Sequence, residues 1–334
     1  MGEGKQIALL GAAVLCLYLF GRGAPQPSPA APPAAGDGGM EKTVIAERGK
    51  DAAASVIQAP AAASTEWEEA FFDSTQANSA VEMTISGAIL LKNETGYPID
   101  PWAVVAGGTE VRLAAGQPQI LIIHTHSSEA YAPAGLDRYE PSDSARTEDS
   151  EHNIIRVGDE LTRLFELAGL NVIHDRGIYD YPSYTGSYAR SGAMVEQYLR
   201  DYPSIGVVFD VHRDALGTDD VIYKTVAEEA GTCASQAMLL VGTDESGLAH
   251  PNWRENLSLA LYLQNVLAAE HPTLMRPVAL VPQRYNQQLC PGMLILEVGS
   301  SGNTMQEALA AARLFAASAA PALLALVGQS GEAP

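Results

Sequence analysis

From Pro118 onward the chain alternates short, unbroken apolar runs with longer stretches in which apolar residues recur every three or four positions. The runs are QILIIHTH (119–126), NVIHD (171–175), SIGVVFDVH (204–212), ASQAMLLVG (234–242), RPVALVP (276–282) and MLILEVGS (293–300). Continuous apolar runs of this length predict strands buried on both faces. Between them, residues 153–168 place Ile154, Ile155, Val157, Leu161, Leu164, Phe165 and Leu167 at helical spacing, with Gly169 as the stop. The stretches 187–200, 254–269 and 304–327 predict further helices. Strands separated by helices predict an α/β fold, a three-layer αβα sandwich around a mainly parallel sheet. Ligands of such sheets sit beyond the carboxyl ends of the strands.

Before Pro118 the grammar differs. The β-like runs MTISGAILL and WAVVAGGTEVRL, separated by a turn over 93–98, predict a small β-rich lead-in over 66–118, ordered from about Trp67, ahead of a catalytic domain over 119–328. Residues 23–65 are rich in Ala, Pro and Gly without an apolar period, which predicts a disordered linker. Residues 7–20, IALLGAAVLCLYLF, carry no charge and lie between Lys5 and Arg22. The run is shorter than the roughly 20 residues of a full span. No small-residue cleavage site follows it. An uncleaved membrane anchor over 1–22 is the preferred expectation; a cleaved signal and a core helix are the alternatives. The first two carry the rest of the chain out of the cytoplasm.

Composition narrows the partners. Among 334 residues, 40 acidic against 20 basic side chains leave a formal charge of −20. This argues against nucleic acid and against polybasic docking on anionic lipid. Three cysteines are too few for a disulfide scaffold or a Cys-rich zinc module. In an exported protein, Cys233 and Cys290 are candidates for a disulfide closing a long loop.

Three of the predicted strands end in polar, ligand-capable residues: His124, His126 and Glu129 after the first, Asp210, His212, Arg213 and Asp214 at the third, and Glu297 at the last. A hydrolytic zinc needs three protein ligands and one open position. His126 and Glu129 supply two ligands from one loop, and His212 a third from a neighbouring strand end. Glu297, a carboxylate closing an apolar strand, is costly there without a purpose. It is the candidate for the base that takes a proton from water and returns it to the leaving amine. Alternatives stay open at each position. His124 is a ligand or a supporting core histidine, and Asp149 a competing oxygen ligand or a helix N-cap. Glu129 could cap or salt-bridge, and the charges around His212 could form a solvated cluster. Arg213 is a candidate for neutralising a developing oxyanion, or a partner of Asp210 or Asp214. Arg284, Tyr285 and Asn286, in a loop before the last strand, are candidates for substrate contact, and Tyr181, Tyr184, Tyr188 and Arg190 for the lining of a sugar or peptide groove. No G-x-S-x-G elbow and no phosphate-binding glycine loop occurs.

In order and spacing, ILIIHTHSSEAYAP, NIIRVGDELTRLFELAGLNVIHD, SYARS, FDVHRDA, YNQQLCPGMLILEVGS and GNTMQEAL resemble the stage II sporulation protein P family, over about two-thirds of the chain, from about Leu91 to Ala320. The resemblance implies a membrane-anchored, zinc-dependent N-acetylmuramoyl-L-alanine amidase with an amidase/phosphorylase-like αβα fold. It would cut between N-acetylmuramic acid and the L-alanine of the peptidoglycan stem during septal thinning and engulfment. A carboxypeptidase or endopeptidase acting on stems or cross-links is the alternative, and a non-catalytic wall-binding protein a third reading. The implied partners are a membrane scaffold and a lytic transglycosylase (sporulation proteins M and D). Carried over residue by residue, His126, Glu129 and His212 fall on the metal-binding motifs and Glu297 on the catalytic glutamate. The chain departs from the family where His-Asp often follows the second strand; it has Tyr179-Asp180. The two cysteines look unusual for the family, a further reason to pair them. An acidic surface does not speed encounter with an anionic polymer, and tethering would compensate.

Overall fold

The computed structural model describes residues 82–86, 89–142, 145–218, 221–229 and 231–328. The expected anchor over 1–22 and linker over 23–65 lie outside the described residues.

Among the described residues, ten strands and five α-helices follow one another as β1 (Glu82–Ser86), β2 (Ile89–Asn93), α1 (Pro101–Gly107), β3 (Ile120–Ile123), α2 (Ile154–Leu167), β4 (Val172–His174), α3 (Ser187–Asp201), β5 (Val207–Asp214), β6 (Ala227–Glu229), β7 (Thr232–Ala234), β8 (Ala237–Gly242), α4 (Trp253–Glu270), β9 (Val278–Val281), β10 (Met293–Ser300) and α5 (Met305–Leu324). Eight strands form one sheet in the order β1-β2-β9-β8-β10-β5-β3-β4, and β6 and β7 form a separate ladder. Five of its seven pairings are parallel; β1–β2 and β8–β10 are antiparallel. The mainly parallel α/β sheet and all six strands expected after Pro118 are present.

The lead-in differs from expectation in two ways. Its hairpin β1–β2 belongs to the main sheet, with β2 parallel to β9. The run beginning at Trp102 is the helix α1, not a strand. Asp100 caps it by accepting from the amides of Trp102 and Ala103, and Pro101 occupies its first turn. Proline there loses only an amide that a helix start leaves unpaired.

Alternation along the strands divides the sheet into two unequal sides. On one, Ile120, Ile122, Val207, Phe209, Val211, Leu294, Leu296 and Val298 pack under α2, α4 and α5. Phe209 lies 6.1 Å from both Phe165 of α2 and Phe315 of α5, ring centre to ring centre. On the other, Leu121, Ile123, Val208 and Met293 pack under α3 alone. Beyond α3, over β8 and β9, Met238, Ala279 and Val281 are covered by Tyr285 from a loop. By length and apolarity α5 resembles a membrane span, but most of it is buried. A Thr304–Glu307 capping box starts it.

Cys233 and Cys290 are both free, which corrects the disulfide expectation. Cys233 precedes β8, whose first residue pairs with Val298, near the far end of β10; Cys290 precedes the start of β10. Eight residues of strand at about 3.3 Å each separate the two ends. A disulfide needs Cα atoms within about 7 Å.

His250 follows β8, is buried, and finds no hydrogen-bond partner for either ring nitrogen among the described residues. Burial, then the nearby Arg284 charge, push its pKa down to about 4. The unfolded chain, with a pKa near 6.5, binds this proton first, so the stability His250 contributes is whole above pH 6.5 and is lost as pH falls towards 4. Urea unfolding from pH 4 to 6.5 should show stability rising with pH, against the smaller opposite slope of Glu297, whose pKa burial pushes up to about 8. His250→Asn should flatten part of the rise, leaving the part due to His124 and His126, which burial pushes down to about 3. An unchanged slope would mean that His250 titrates normally.

Candidate active site

On the α3 side of the sheet, the apolar positions of β5 and β10 give way to Asp210, His212 and Glu297 as each strand nears its carboxyl end. Glu297 and His212 are register partners on adjacent parallel strands. The loop after β3 folds over them, because Glu129 is tied at both ends of its peptide unit. Its amide donates to His126 O, its carbonyl accepts from the first amide of α2 (Ile154), and it bridges Arg146. The ring of His126 stands 5.3 Å from that of His212, nearly perpendicular. His212 Nδ1 lies 3.4 Å from Glu129 Oε2, and its Nε2 lies 2.9 Å from Asp210 Oδ1, off the line of a straight hydrogen bond. The four residues expected from the sequence, His126, Glu129, His212 and Glu297, therefore converge from three chain segments.

Their ionisation is uneven. Burial opposes charge on Glu129, but Arg213 and then His212 outweigh it and hold its carboxyl below the usual range. Burial likewise opposes protonation of His212, but Asp210 and Glu129 hold its pKa well above the ordinary value. Burial keeps His126 neutral, with a pKa of about 3. Glu297 is the one residue of β10 with partial exposure; its Oε2 is buried and finds no hydrogen-bond partner among the described residues. Burial, more than its charged neighbours, pushes it up to about 8.

Other candidates are placed differently. His124 spends Nδ1 on Val211 O (2.9 Å) and Nε2 on His174 Nε2 (2.9 Å), so it supports the loop from beneath. Asp149 is exposed, caps the amide of Glu151 and pairs with His152, and the N-cap of α2 is Asn153. Arg213 pairs with neither Asp210 nor Asp214. Its Nε and Nη2 donate to the carbonyls of Ala130 and Ala145, its amide donates to Glu129 Oε2, and Asp214 pairs with Arg276. Tyr285 rises beside the site, its ring 5.6 Å from that of Tyr188, which is itself 5.4 Å from His126. Tyr285 and Asn286 both hold positive φ (49° and 62°), a conformation uncommon for side chains larger than glycine. Asn286 fixes the loop to α3 by donating to Tyr188 O. Arg284, Tyr285 and Asn286 line a cavity of about 520 Å³ between this loop and α3.

Three residues at the site carried no pattern of their own. Asp180, buried, accepts from the amide and hydroxyl of Ser128 and from Arg146 (2.5 Å). It lies where the chain departs from the family, and its neighbour Tyr179 hydrogen-bonds the buried Asp175. Arg146 also reaches to 3.7 Å from Glu129. His174 joins His124 to Asp159. That imidazole pair exists because residue 158 is glycine: a Cβ there would stand 2.4 Å from His124 Nε2 and 2.6 Å from His174 Nε2. Gly158→Ala should destabilise by about 1–3 kcal/mol in urea unfolding, the overpacking cost, outweighing a helix-propensity gain of at most about 1 kcal/mol. A more stable variant would show that the pair has room to move.

As they stand, no three His, Cys, Asp or Glu side chains among the described residues are drawn together closely enough to hold an ion. The donor set nevertheless fits a hydrolytic metal: two imidazoles and a carboxylate as donors, and beside them a buried acid oxygen with no hydrogen-bond partner among the described residues.

A model of the family described as stage II sporulation protein P matches residues 40–320. The stage II sporulation protein P of Bacillus subtilis (strain 168) is 26% identical over 212 residues, 59% of this chain and 49% of the relative, so the chain spans about half the length of the curated relative it matches. Among solved structures, the N-acetylmuramoyl-L-alanine amidase AmiC2 of Nostoc punctiforme superposes over 62% of this chain and 96% of its own, at 13% identity and a TM-score of 0.36. The CwlD amidase from Clostridioides difficile, in complex with the GerS lipoprotein, does so over 62% and 98%, at 13% identity and a TM-score of 0.36. Both superpositions are loose.

Proposed function

Because the chain belongs to the stage II sporulation protein P family, we propose that it is a peptidoglycan hydrolase that cuts the amide between N-acetylmuramic acid and the L-alanine of the stem peptide. The observation that carries the reading is Glu297: an acid with one buried oxygen, poised near neutrality, in register with His212, which itself lies beside His126 and Glu129. His126, Glu129 and His212 are the residues that would hold a zinc ion. Such an ion lowers the pKa of bound water to about 7 and polarises the scissile carbonyl.

The chain's own groups supply the rest. Glu297 takes a proton from the attacking water as its oxygen bonds to the carbonyl carbon. It then delivers that proton to the nitrogen, so that the C–N bond breaks with a neutral amine leaving. Asp210, fixed by the amide and hydroxyl of Thr125, holds His212 in place. Arg213 and His212 keep Glu129 ionised, and Arg146 flanks it at 3.7 Å. The cavity beside Tyr188 and Tyr285 is the place for the stem peptide, with Arg284, Tyr285 and Asn286 as its contacts.

The same reading places the enzyme at the septal membrane, anchored through residues 1–22, with the membrane scaffold and lytic transglycosylase as partners. The sequence resemblance and the apolar run support this.

The test is digestion of purified peptidoglycan. Free L-alanine amino termini, peptide-free glycan and no new sugar reducing ends support the amidase; cleaved cross-links with peptides still on glycan would favour the endopeptidase instead. A chelator should stop the reaction and zinc restore it.

A further inference from the structure

The hydroxyl of Tyr184 lies 3.0 Å from His126 Nε2, and its ring stacks on the imidazole at 4.4 Å, 12° from parallel. The guanidinium of Arg146 also lies over the phenol, 4.9 Å from its centre. Arg146 is in turn held by Asp180 and faces Glu129. Tyr184 is thus held by a cation and a ring although 38% of it is exposed. The other nitrogen of His126, Nδ1, has Ser187 Oγ at 3.4 Å, the longer of the two contacts.

His212 shows the same arrangement. A carboxylate oxygen 2.9 Å from its Nε2 tolerates only a protonated nitrogen there, while Nδ1 faces Glu129. We infer that Tyr184 is a positioning residue: its oxygen receives the Nε2 proton of His126, leaving Nδ1 as the lone-pair nitrogen, the role Asp210 plays for His212. Ser187 then donates its hydroxyl to that lone pair in the metal-free protein. A neutral imidazole has one N–H, so the partner of one nitrogen decides which nitrogen can bind a metal. Partners of this kind change metal affinity about 10–100-fold when removed. The stacking on His126 and the contact with Arg146 separate this role from that of a loose plug, because they hold the ring beside the imidazole.

The inference rests on the metal reading of the site, and the test separates the two. The full chain, stripped of metal, is titrated with Co²⁺, reading the visible d–d band and the dissociation constant against a competing chelator. Tyr184→Phe keeps the ring and its stacking. Its affinity should fall about 10–100-fold, with an altered band, while Ser187→Ala stays near the wild type. If Tyr184→Phe binds as tightly or more tightly, or Ser187→Ala shows the loss instead, the opposite tautomer is present and the inference is overturned. If the wild type takes up no cobalt, or His126→Ala binds as the wild type does, the metal reading itself fails.

Discussion

Glu297→Gln should lower hydrolysis of purified peptidoglycan by about 10²–10⁴-fold, the usual worth of a positioned acid–base group, while metal uptake and folding persist. The amide keeps the shape of the carboxyl but cannot carry a proton from water to amine. The wild-type group is pushed up to about 8 by burial, so in the metal-free protein at neutral pH it is already mostly uncharged, and the substitution exchanges one neutral group for another. Thermal unfolding should accordingly change little, which separates a catalytic loss from a structural one. Near-wild-type turnover would remove Glu297 from the reaction and with it the mechanism above.

The second large effect concerns the two histidines. His212→Ala and His126→Ala should each lose stoichiometric zinc, measured by elemental analysis after dialysis, but their stability should diverge. In the metal-free protein His212 is charged and lies between two buried carboxylates, Asp210 and Glu129. Removing one partner of a buried ion pair costs about 3–5 kcal/mol. His126 is neutral and stacked on Tyr184, so its loss is one of packing and a hydrogen bond. Urea unfolding of the metal-free variants should therefore show His212→Ala as much the weaker. The reverse order would mean that the charge sits elsewhere.

Most of the sheet was legible because strands buried on both sides leave continuous apolar runs, and the helices between them leave a period. What the runs do not encode is direction. Nothing in ASQAMLLVG announces that β8 opposes β10 while β9 follows β8, because both faces of such a strand are apolar in either orientation. The run after Trp102 misled for a different reason. Its valines favour a strand, but Asp100 and Pro101 immediately before it are a helix start, and the cap prevailed. At the site, His126, Glu129, His212 and Glu297 were legible as costly polar groups ending apolar strands. Asp180, Arg146 and His174 were not, because their roles depend on which loops meet over the sheet. Arg213 was expected to neutralise an oxyanion or to pair with Asp210 or Asp214, but its side-chain donors go to the carbonyls of Ala130 and Ala145, a choice set by the fold of 128–146 rather than by its neighbours in sequence.

The pairing of Glu297 with His212 across two hydrogen-bonded strands has a bearing on how this protein can be altered. Strand spacing of about 4.8 Å fixes where the two side chains leave the backbone, since moving their attachment points on this face relative to one another would require a two-residue slip of the central ladder. The segments 181–183 and 282–286, by contrast, hang outside the ladder. Random mutagenesis selecting for activity on foreign stem peptides should therefore accumulate changes in those two segments and leave β5 and β10 untouched.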